Sequence, residues 1–348
     1  MRILVAGSFR YEIYTKAFYE AFRRLGHDVR KLDTEAFVHE GGAVADILEK
    51  VKHHWLVGPS IVAADRALKK TVREFRPDLV FLYHCYFFTP AAIKAVSRET
   101  TVFSYENDDP FERRSDKHNP SFYIAAARWC KMNYVFRRKN VEDFARLGID
   151  NVKVLLPYYT ETRNFPMACE KDIPLAFVGH GEDDGRDAMI KELLDAGLPF
   201  SLYGDEYSWS KSPLWPQLKS CYHGPANGDV YNAVLNRVKV ALVFFSKKNN
   251  DTYTRRSFEL PVTKTVMLSE YTADMDEFWP ENECCVYFRN TEELVQKAKW
   301  LLEHDEEQKR IAGNAFNRLK VLGGSETDRV REVLADYDLI ARGKNPLS

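Results

Sequence analysis

One arrangement occurs twice in this chain and limits its fold more than any other feature. Residues 2–7, RILVAG, are a short apolar run closed by Gly7. A helical segment follows from Tyr14 to Leu25, with Ala17, Phe18, Ala21, Phe22 and Leu25 on one face. Gly26 and His27 end that segment, and DVRKL begins another strand. Residues 174–181, PLAFVGHG, repeat the strand and glycine loop; Arg186 to Ala196 reads as the helix, Gly197 as its stop and PFSLYG (199–204) as the next strand. Strand, glycine loop, helix, glycine, strand is the opening of a doubly wound α/β unit. The chain therefore reads as α/β with two Rossmann-like, doubly wound domains, at residues 1–165 and 170–322. Residues 323–348 carry a final helix, from about Thr327 to Ile340, that packs back on the first domain. At 348 residues the chain is long enough for two domains. A single larger α/β domain is the structural alternative.

Between the two openings the same alternation continues. A helix covers about 60–75, and Pro77-Asp78 introduces the apolar strand LVFLY (79–83). A further helix begins near Thr89-Pro90, with proline in its first turn. TVFSY (101–105) is a strand ending at Glu106-Asn107-Asp108-Asp109-Pro110. A long helical stretch containing Tyr134-Val135-Phe136 is expected next, then VKVLLPYY (152–159) as the last strand of this half. Residues 160–172, with Pro166 and little periodicity, read as the linker. In the second half CYHG (221–224) reads as the end of a short strand and Asp229 to Asn236 as a short helix. VKVALVFF (238–245) and VML (266–268) read as strands, and 292–302 and 306–319 as amphipathic helices.

The charges nearly cancel, 50 basic against 51 acidic side chains. No strong overall field points to nucleic acid, which usually needs a clustered basic face. The first 165 residues hold roughly six more bases than acids and the rest roughly seven more acids than bases. That asymmetry is either chance or a first domain that faces an anionic acceptor or makes a peripheral membrane contact. The six cysteines include no C-x-x-C and no zinc-type spacing, so they read as reduced, mostly buried thiols of a cytoplasmic protein. The apolar run at the N-terminus is too short for a signal sequence, and no segment approaches a membrane span.

The densest chemistry lies in DTYTRRSFELPVTKTVM (251–267), between two apolar strands. Asp251 ends the loop after the first strand, and Thr254, Arg255 and Arg256 lead into a helix that carries Glu259. Orphan amides of a helix start can hold a pyrophosphate. A carboxylate can take both hydroxyls of a ribose. Arginines there would neutralise a departing diphosphate. The plainer readings are an N-cap for Asp251 and an arginine-paired surface carboxylate for Glu259. Gly179 and His180, Tyr203 and Gly204, and His223 and Gly224 end strands where ligands of such sheets sit, and Arg186 opens the next helix. A tight turn, a core histidine or a solvated arginine would explain the same residues. In the first half Gly7, Ser8 and Phe9 form the matching loop. Asp108 and Asp109 are candidate proton acceptors, with His84 as a competitor. Asp108-Asp109 and Asp183-Asp184 might suggest a metal, but hard cations need several converging oxygens, so no metal is expected.

The runs FVGHGEDDGR, LYG, YHGP, SFELPVTKTVMLSEYT and LVQKAKWLLEHDEEQKRIAGNAFNRL resemble the CgeB-type (spore-maturation-protein-like) glycosyltransferases. They are similar, more distantly, to the large retaining group that includes bacterial mannosyltransferases. GSF, NDDP and VKVLLPYY extend the resemblance into the first half. It implies the GT-B architecture: two Rossmann-like domains facing across a cleft, the donor mainly on the second. The wider group carries Glu, seven residues, Glu, then a Gly-x-Pro. Asp251 and Glu259 stand at the two acids, and Lys264-Thr265-Val266 replaces the Gly-x-Pro. By resemblance the chain moves a sugar from a nucleoside-diphosphate sugar to a glycan, lipid-linked or protein hydroxyl. Retention of configuration and independence of metal are implied, with no cofactor beyond the nucleotide-sugar co-substrate. Asp251 would then lie near the sugar and the His223-Gly224 loop near the base. The rivals are a sugar-nucleotide epimerase of the same fold and a non-catalytic nucleotide-sugar-binding protein.

Overall fold

A computed structural model describes residues 1–38, 43–112 and 119–347. The chain forms two compact units, Met1–Leu156 together with Glu326–Ser348, and Pro157–Ser325. Each is built on one parallel sheet.

In the first unit the strands are β1 (Arg2–Gly7), β2 (Asp28–Asp33), β3 (Leu79–Tyr83), β4 (Thr101–Glu106), β5 (Met132–Val135) and β6 (Val152–Val154). Their order is β2-β1-β3-β4-β5-β6. All five residues of β3 are buried, as a strand covered on both faces requires. Burying each such large apolar side chain contributes about 1.5–3 kcal/mol. The helices are α1 (Thr15–Arg24), α2 (Ala43–Trp55), α3 (Pro59–Phe75), α4 (Pro90–Val96), α5 (Ser121–Ala126) and α6 (Arg138–Ala145). Helix α1 buries Ala17, Phe18, Ala21 and Phe22, and Phe18 stacks on Phe81 of β3 at 5.1 Å. Thr89 caps α4, its Oγ1 accepting the Ala92 N–H at 3.1 Å, with Pro90 in the first turn.

Two expectations fail in this unit. Tyr134-Val135-Phe136 belongs to no long helix: residues 132–135 are strand β5, every residue buried between β4 and β6. The polar residue within it is satisfied locally, Asn133 Oδ1 accepting from Ser104 Oγ at 2.7 Å and its Nδ2 donating to Ala127 O at 2.9 Å. The strand β6 is also shorter than the expected 152–159.

In the second unit the strands are β7 (Ile173–Val178), β8 (Phe200–Tyr203), β9 (Val238–Val243), β10 (Val266–Glu270) and β11 (Val286–Phe288), in the order β11-β10-β9-β7-β8. Helices α7 (Arg186–Asp195), α8 (Glu206–Trp209), α9 (Trp215–Leu218), α10 (Gly228–Arg237), α11 (Arg256–Val262), α12 (Ala273–Phe278), α13 (Thr291–Glu303) and α14 (Asp305–Leu322) surround it. Leu175, Phe177, Leu202, Leu242 and Leu268 of the sheet pack with Ile190, Leu193, Leu294 and Leu301 of the helices. CYHG forms no strand; Tyr222 makes only an isolated bridge to Leu202. Residues 160–172 are no bare connector. Phe165 N–H and Met167 N–H donate to Asn232 and Asn236 of α10 at 3.2 and 2.8 Å, and Lys171 Nζ donates to Asn236 O and Val238 O at 3.1 and 2.8 Å.

The last helix, α15 (Glu326–Ala341), belongs to the first unit. Arg24 of α1 donates to Glu326 and Thr327 at 2.6 and 2.8 Å, and Tyr134 Oη donates to Asp336 at 2.9 Å.

Helix α11 ends in a motif that explains one oddity of the sequence. Thr265 N–H donates to Leu260 O at 3.2 Å and Lys264 N–H to Pro261 O at 3.1 Å, the paired bonds of a Schellman stop. The motif needs a left-handed residue, and Lys264 supplies it at φ 52°. Glycine adopts that conformation without a Cβ penalty. Lys264→Gly is therefore expected to stabilise the protein by about 0.5–1 kcal/mol, read as a higher denaturation midpoint at unchanged m-value. A lower midpoint would contradict this account of the turn.

Candidate functional site

In an open parallel sheet ligands bind beyond the carboxyl ends of the strands, where the strand order reverses. In the second unit β8 lies on one side of β7 and β9 on the other, so the reversal falls between β7 and β9. The loops after β7 and β8 and the segment after Tyr222 meet at this edge. Gly179 N–H donates to Tyr203 O at 2.9 Å, and Gly204 N–H to Gly224 O at 3.0 Å. Trp209 Nε1 donates to Gly179 O and Tyr222 Oη to Gly204 O, both at 2.9 Å. The His223 ring stacks on Tyr203 at 5.1 Å. The chain packs here so closely that side chains are excluded. A Cβ on Gly204 would lie 2.0 Å from Gly179 O, and one on Gly179 would lie 2.7 Å from a terminal guanidinium nitrogen of Arg256. Arg256 therefore rests directly on the glycine loop. Gly179, Tyr203, Gly204, His223, Gly224 and Arg256, singled out by sequence, are brought together.

Helix α11 contributes the rest. Glu259 is 3% exposed; its carboxylate accepts from Tyr231 Oη at 2.5 Å and Arg255 Nε at 3.0 Å, and Arg163 stands at 3.8 Å. Burial pushes the Glu259 carboxyl up, but Arg255, Arg163, the Tyr231 hydroxyl and Arg256 outweigh it and hold the group below its ordinary range. The Tyr231 hydroxyl is pushed up to about 12, by burial first and by Glu259 second. Arg255 also donates to Thr160 Oγ1 at 2.6 Å and lies 4.3 Å from the Tyr158 ring centroid, and Arg163 lies 4.0 Å from that of Tyr231. Arg163, Thr160 and Tyr231 were not legible as site residues. They come from the supposed linker and from α10, and nothing in their own sequence context marks them.

Four expectations need correction. Glu259 does not present its carboxylate as a ribose acceptor would; the arginines and Tyr231 occupy both oxygens, and it serves as their buried counter-ion. The start of α11 is no open row of amides. The N–H groups of Ser257, Phe258 and Glu259 already donate to Thr254 O and Arg255 O, and Thr254 N–H donates to Ser257 Oγ at 3.3 Å. Asp251 does not cap the helix, whose N-cap is Arg255 without a side-chain bond; Asp251 is half-buried in the loop after β9, its N–H donating to Ser246 O at 3.0 Å. Arg186, offered as a phosphate ligand, is 5% exposed and forked onto Asp184, with Nη1 on His180 O at 2.9 Å. It braces the loop after β7. His180 is exposed at one edge, yet loss of water on its packed side, and then Arg256, lower its pKa, so the neutral ring is favoured.

In the first unit the order reverses between β1 and β3, which places the loop after Gly7 beside His84. A Cβ on Gly7 would lie 2.6 Å from Tyr83 O. Ser8 and Phe9 make local bonds, Ser8 Oγ accepting from Arg10 N–H and Phe9 N–H donating to Asp33, both at 3.4 Å. His84 follows β3 with a left-handed backbone, φ 49°. Its Nδ1 lies 2.6 Å from Oε1 of Glu106, the last residue of β4, and Asp108 N–H donates to the same oxygen at 2.9 Å. Glu106 is 0% exposed, and its other oxygen has no hydrogen-bond partner among the described residues. Sequence reasoning used Glu106 only as a strand end. Asp109 is corrected from a candidate base to an anchor. It is fully buried and accepts from Phe111 N–H at 3.0 Å, Asn140 Nδ2 at 2.8 Å and Lys139 Nζ at 3.2 Å. Burial raises its pKa, but these donors hold it below the ordinary range. Asp108 stays half-buried at the rim. One nitrogen of His84 and one oxygen each of Glu106 and Asp108 lie within 4.8 Å of one another, the group among the described residues that could hold a metal ion.

Two doubly wound parallel sheets, each with its edge built from glycine loops and charged strand ends, define a protein of the GT-B class of α/β fold. Residues 186–335 match a family model described as glycosyl transferase-like. No curated protein matches the chain by sequence. The fold is similar to that of a glycosyltransferase from Rickettsia africae ESF-5, with TM-score 0.66, 12% identity and 98% of each chain covered. Sucrose-phosphate synthase from Thermosynechococcus elongatus gives TM-score 0.69 at 10% identity, over 98% of this chain and 100% of that one. Anabaena HepE, solved in complex with UDP-glucose, gives 0.64 at 11%, over 97% and 100%. At such identities the likeness is one of fold. No helix among the described residues is long and apolar enough to cross a membrane.

Proposed function

We propose that this chain is a glycosyltransferase of the CgeB type. It would transfer a sugar from a nucleoside-diphosphate sugar to an acceptor hydroxyl on a glycan, lipid-linked or protein substrate. The observation that carries the reading is Arg256 laid on the Gly179 loop at the strand reversal of the second unit. A glycine loop lets backbone approach a phosphate, and a fixed guanidinium beside it offers bidentate, always-charged recognition. A diphosphate leaving group gains negative charge as its bond to the sugar breaks, so positive charge preset at that place lowers the barrier. Glu259 acts through the arginines, holding Arg255 and Arg163 in place. Tyr203 and His223 offer a stacked aromatic face at the same edge for a nucleobase. Neutralisation by arginine makes a metal unnecessary for donor binding, so activity should survive a chelator. Retention, which the sequence resemblance implies, needs no enzymic base; inversion needs one.

The test is a melting panel with UDP, GDP, dTDP and CMP. A ligand that binds only the native state raises the melting point, by about 5–10 °C at a hundredfold excess over Kd for a domain of this size. One diphosphate should give such a shift in the wild type and lose most of it in Arg256→Ala. No shift with any of the four would refute the reading.

A further inference from the structure

We infer that the amino edge of the first sheet, opposite the edge described above, carries a second binding site, for a phosphorylated sugar. It is independent of the glycosyltransferase reading and uses none of the residues assigned to that chemistry.

Helix α3 ends at Phe75 and α4 at Val96, and the segments after them lead into β3 and β4. These strands pair side by side, with Leu79 opposite Thr101. At their entry lies a cleft of about 550 Å³, lined by Val72, Arg73, Arg76, Pro77, Glu99 and Thr100. Small-molecule sites run from roughly 300 to 1,000 Å³. The two segments are tied to each other, Thr100 Oγ1 donating to Pro77 O at 2.7 Å and to Asp78 O at 3.1 Å. The length of β3, about 16 Å for its five residues, separates this cleft from the carboxyl edge.

The charges of the cleft are not used within the fold. Nearby charges are: Lys70 pairs with Glu74 at 3.8 Å, and the Asp78 carboxylate accepts the Arg2 N–H at 2.7 Å. Among the described residues Arg73, Arg76 and Glu99 form no ion pair, with each other or with any other group. Arg76 also holds a strained place. It caps α3 in the left-handed region, at φ 49°, where a glycine fits without a Cβ penalty. A long charged side chain kept at such a place points to a use for that side chain. The helix dipole alone does not call for it, because Arg73 already stands in the last turn.

Two unpaired guanidinium groups match a dianion. A phosphate monoester carries close to two charges and three acceptor oxygens, and takes arginine in bidentate pairs. A carboxylate ligand, with one charge, would leave one arginine unneutralised. Glu99 only accepts, so the other end of the ligand must donate, as sugar hydroxyls do. Val72 and Pro77 give apolar surface for the carbons of the ring.

Calorimetric titration of the full chain tests this with glucose 6-phosphate, glucose 1-phosphate, phosphoethanolamine, inorganic phosphate and glucose. One of the two sugar phosphates should bind, about tenfold or more tighter than inorganic phosphate, and glucose alone should give no heat. Arg76→Gly suits the left-handed backbone and should melt no lower than the wild type, yet lose about tenfold or more in affinity for that sugar phosphate. Arg73→Gln should lose a similar factor. Glu99→Ala should bring the sugar phosphate down to the affinity of inorganic phosphate, whose own binding should not fall. No binding of either sugar phosphate, or binding that both arginine variants leave unchanged, would overturn the inference. So would inorganic phosphate binding as tightly as the sugar phosphates, or phosphoethanolamine binding more tightly than both.

Discussion

Glu259→Ala should destabilise the protein by about 3–5 kcal/mol, the cost of removing one partner from a buried charge cluster. The carboxylate accepts from Arg255 and Tyr231 and faces Arg163. Without it these guanidinium groups repel one another in a site poor in water, and the Tyr231 hydroxyl loses its acceptor. Denaturant unfolding would measure the loss, and nucleotide binding should weaken with it because Arg255 is no longer held. The effect depends on pH with a definite sign. The carboxyl is held below its ordinary range in the folded protein, so it binds fewer protons there than in the unfolded chain. Its contribution is present in full above the unfolded carboxyl value, about 4.3, and is lost as pH falls through the lowered folded value. The stability gap between wild type and Glu259→Gln should therefore be wide at neutral pH and close in acid. A gap that is small at pH 7, or that widens in acid, would show that Glu259 is not the counter-ion of the cluster.

The second large effect is expected at Gly204. A methyl there would lie 2.0 Å from the Gly179 carbonyl oxygen, which is backbone and cannot swing aside. Relief requires the loops after β7 and β8 to part, breaking the bonds of Gly204 to Gly224 and of Trp209 to Gly179. Overpacking of this kind costs about 1–3 kcal/mol, and the lost bonds add about 1 kcal/mol each. Gly204→Ala should also weaken nucleotide binding at least tenfold, since the edge that receives the phosphate is displaced. Gly313→Ala is the matched control. It lies within α14 with no atom near its would-be Cβ, and should stabilise by about 0.5–1 kcal/mol. Gly204→Ala with normal stability and binding would remove the glycine edge from the site.

Much of the fold was legible because its signals are local. LVFLY is a buried strand with turn residues on both sides, and the two glycine loops announce their sheets. Residues 132–135 escape a sequence reading because Met132, Tyr134 and Val135, interrupted by Asn133, carry no period of their own; only burial between β4 and β6 makes them a strand. The three-residue β11 and the short α12 fall below what periodicity can register. At the site, sequence reasoning found the glycines and arginines, whose residue types carry their meaning. It could not find partnerships across the fold. Glu259 reads as a ligand until Arg163, Arg255 and Tyr231 are seen around it. Asp109 reads as a base until Asn140 and Lys139 close over it. Glu106 gains meaning only when its neighbour strand brings His84 to it.

The most direct test is a crystal structure with the nucleoside diphosphate that gives the largest melting shift. Diphosphate oxygens should lie within about 3.2 Å of the Arg256 guanidinium and of backbone N–H groups in the loop after β7. A diphosphate bound away from that edge, or an edge left empty at saturating ligand, would contradict the account.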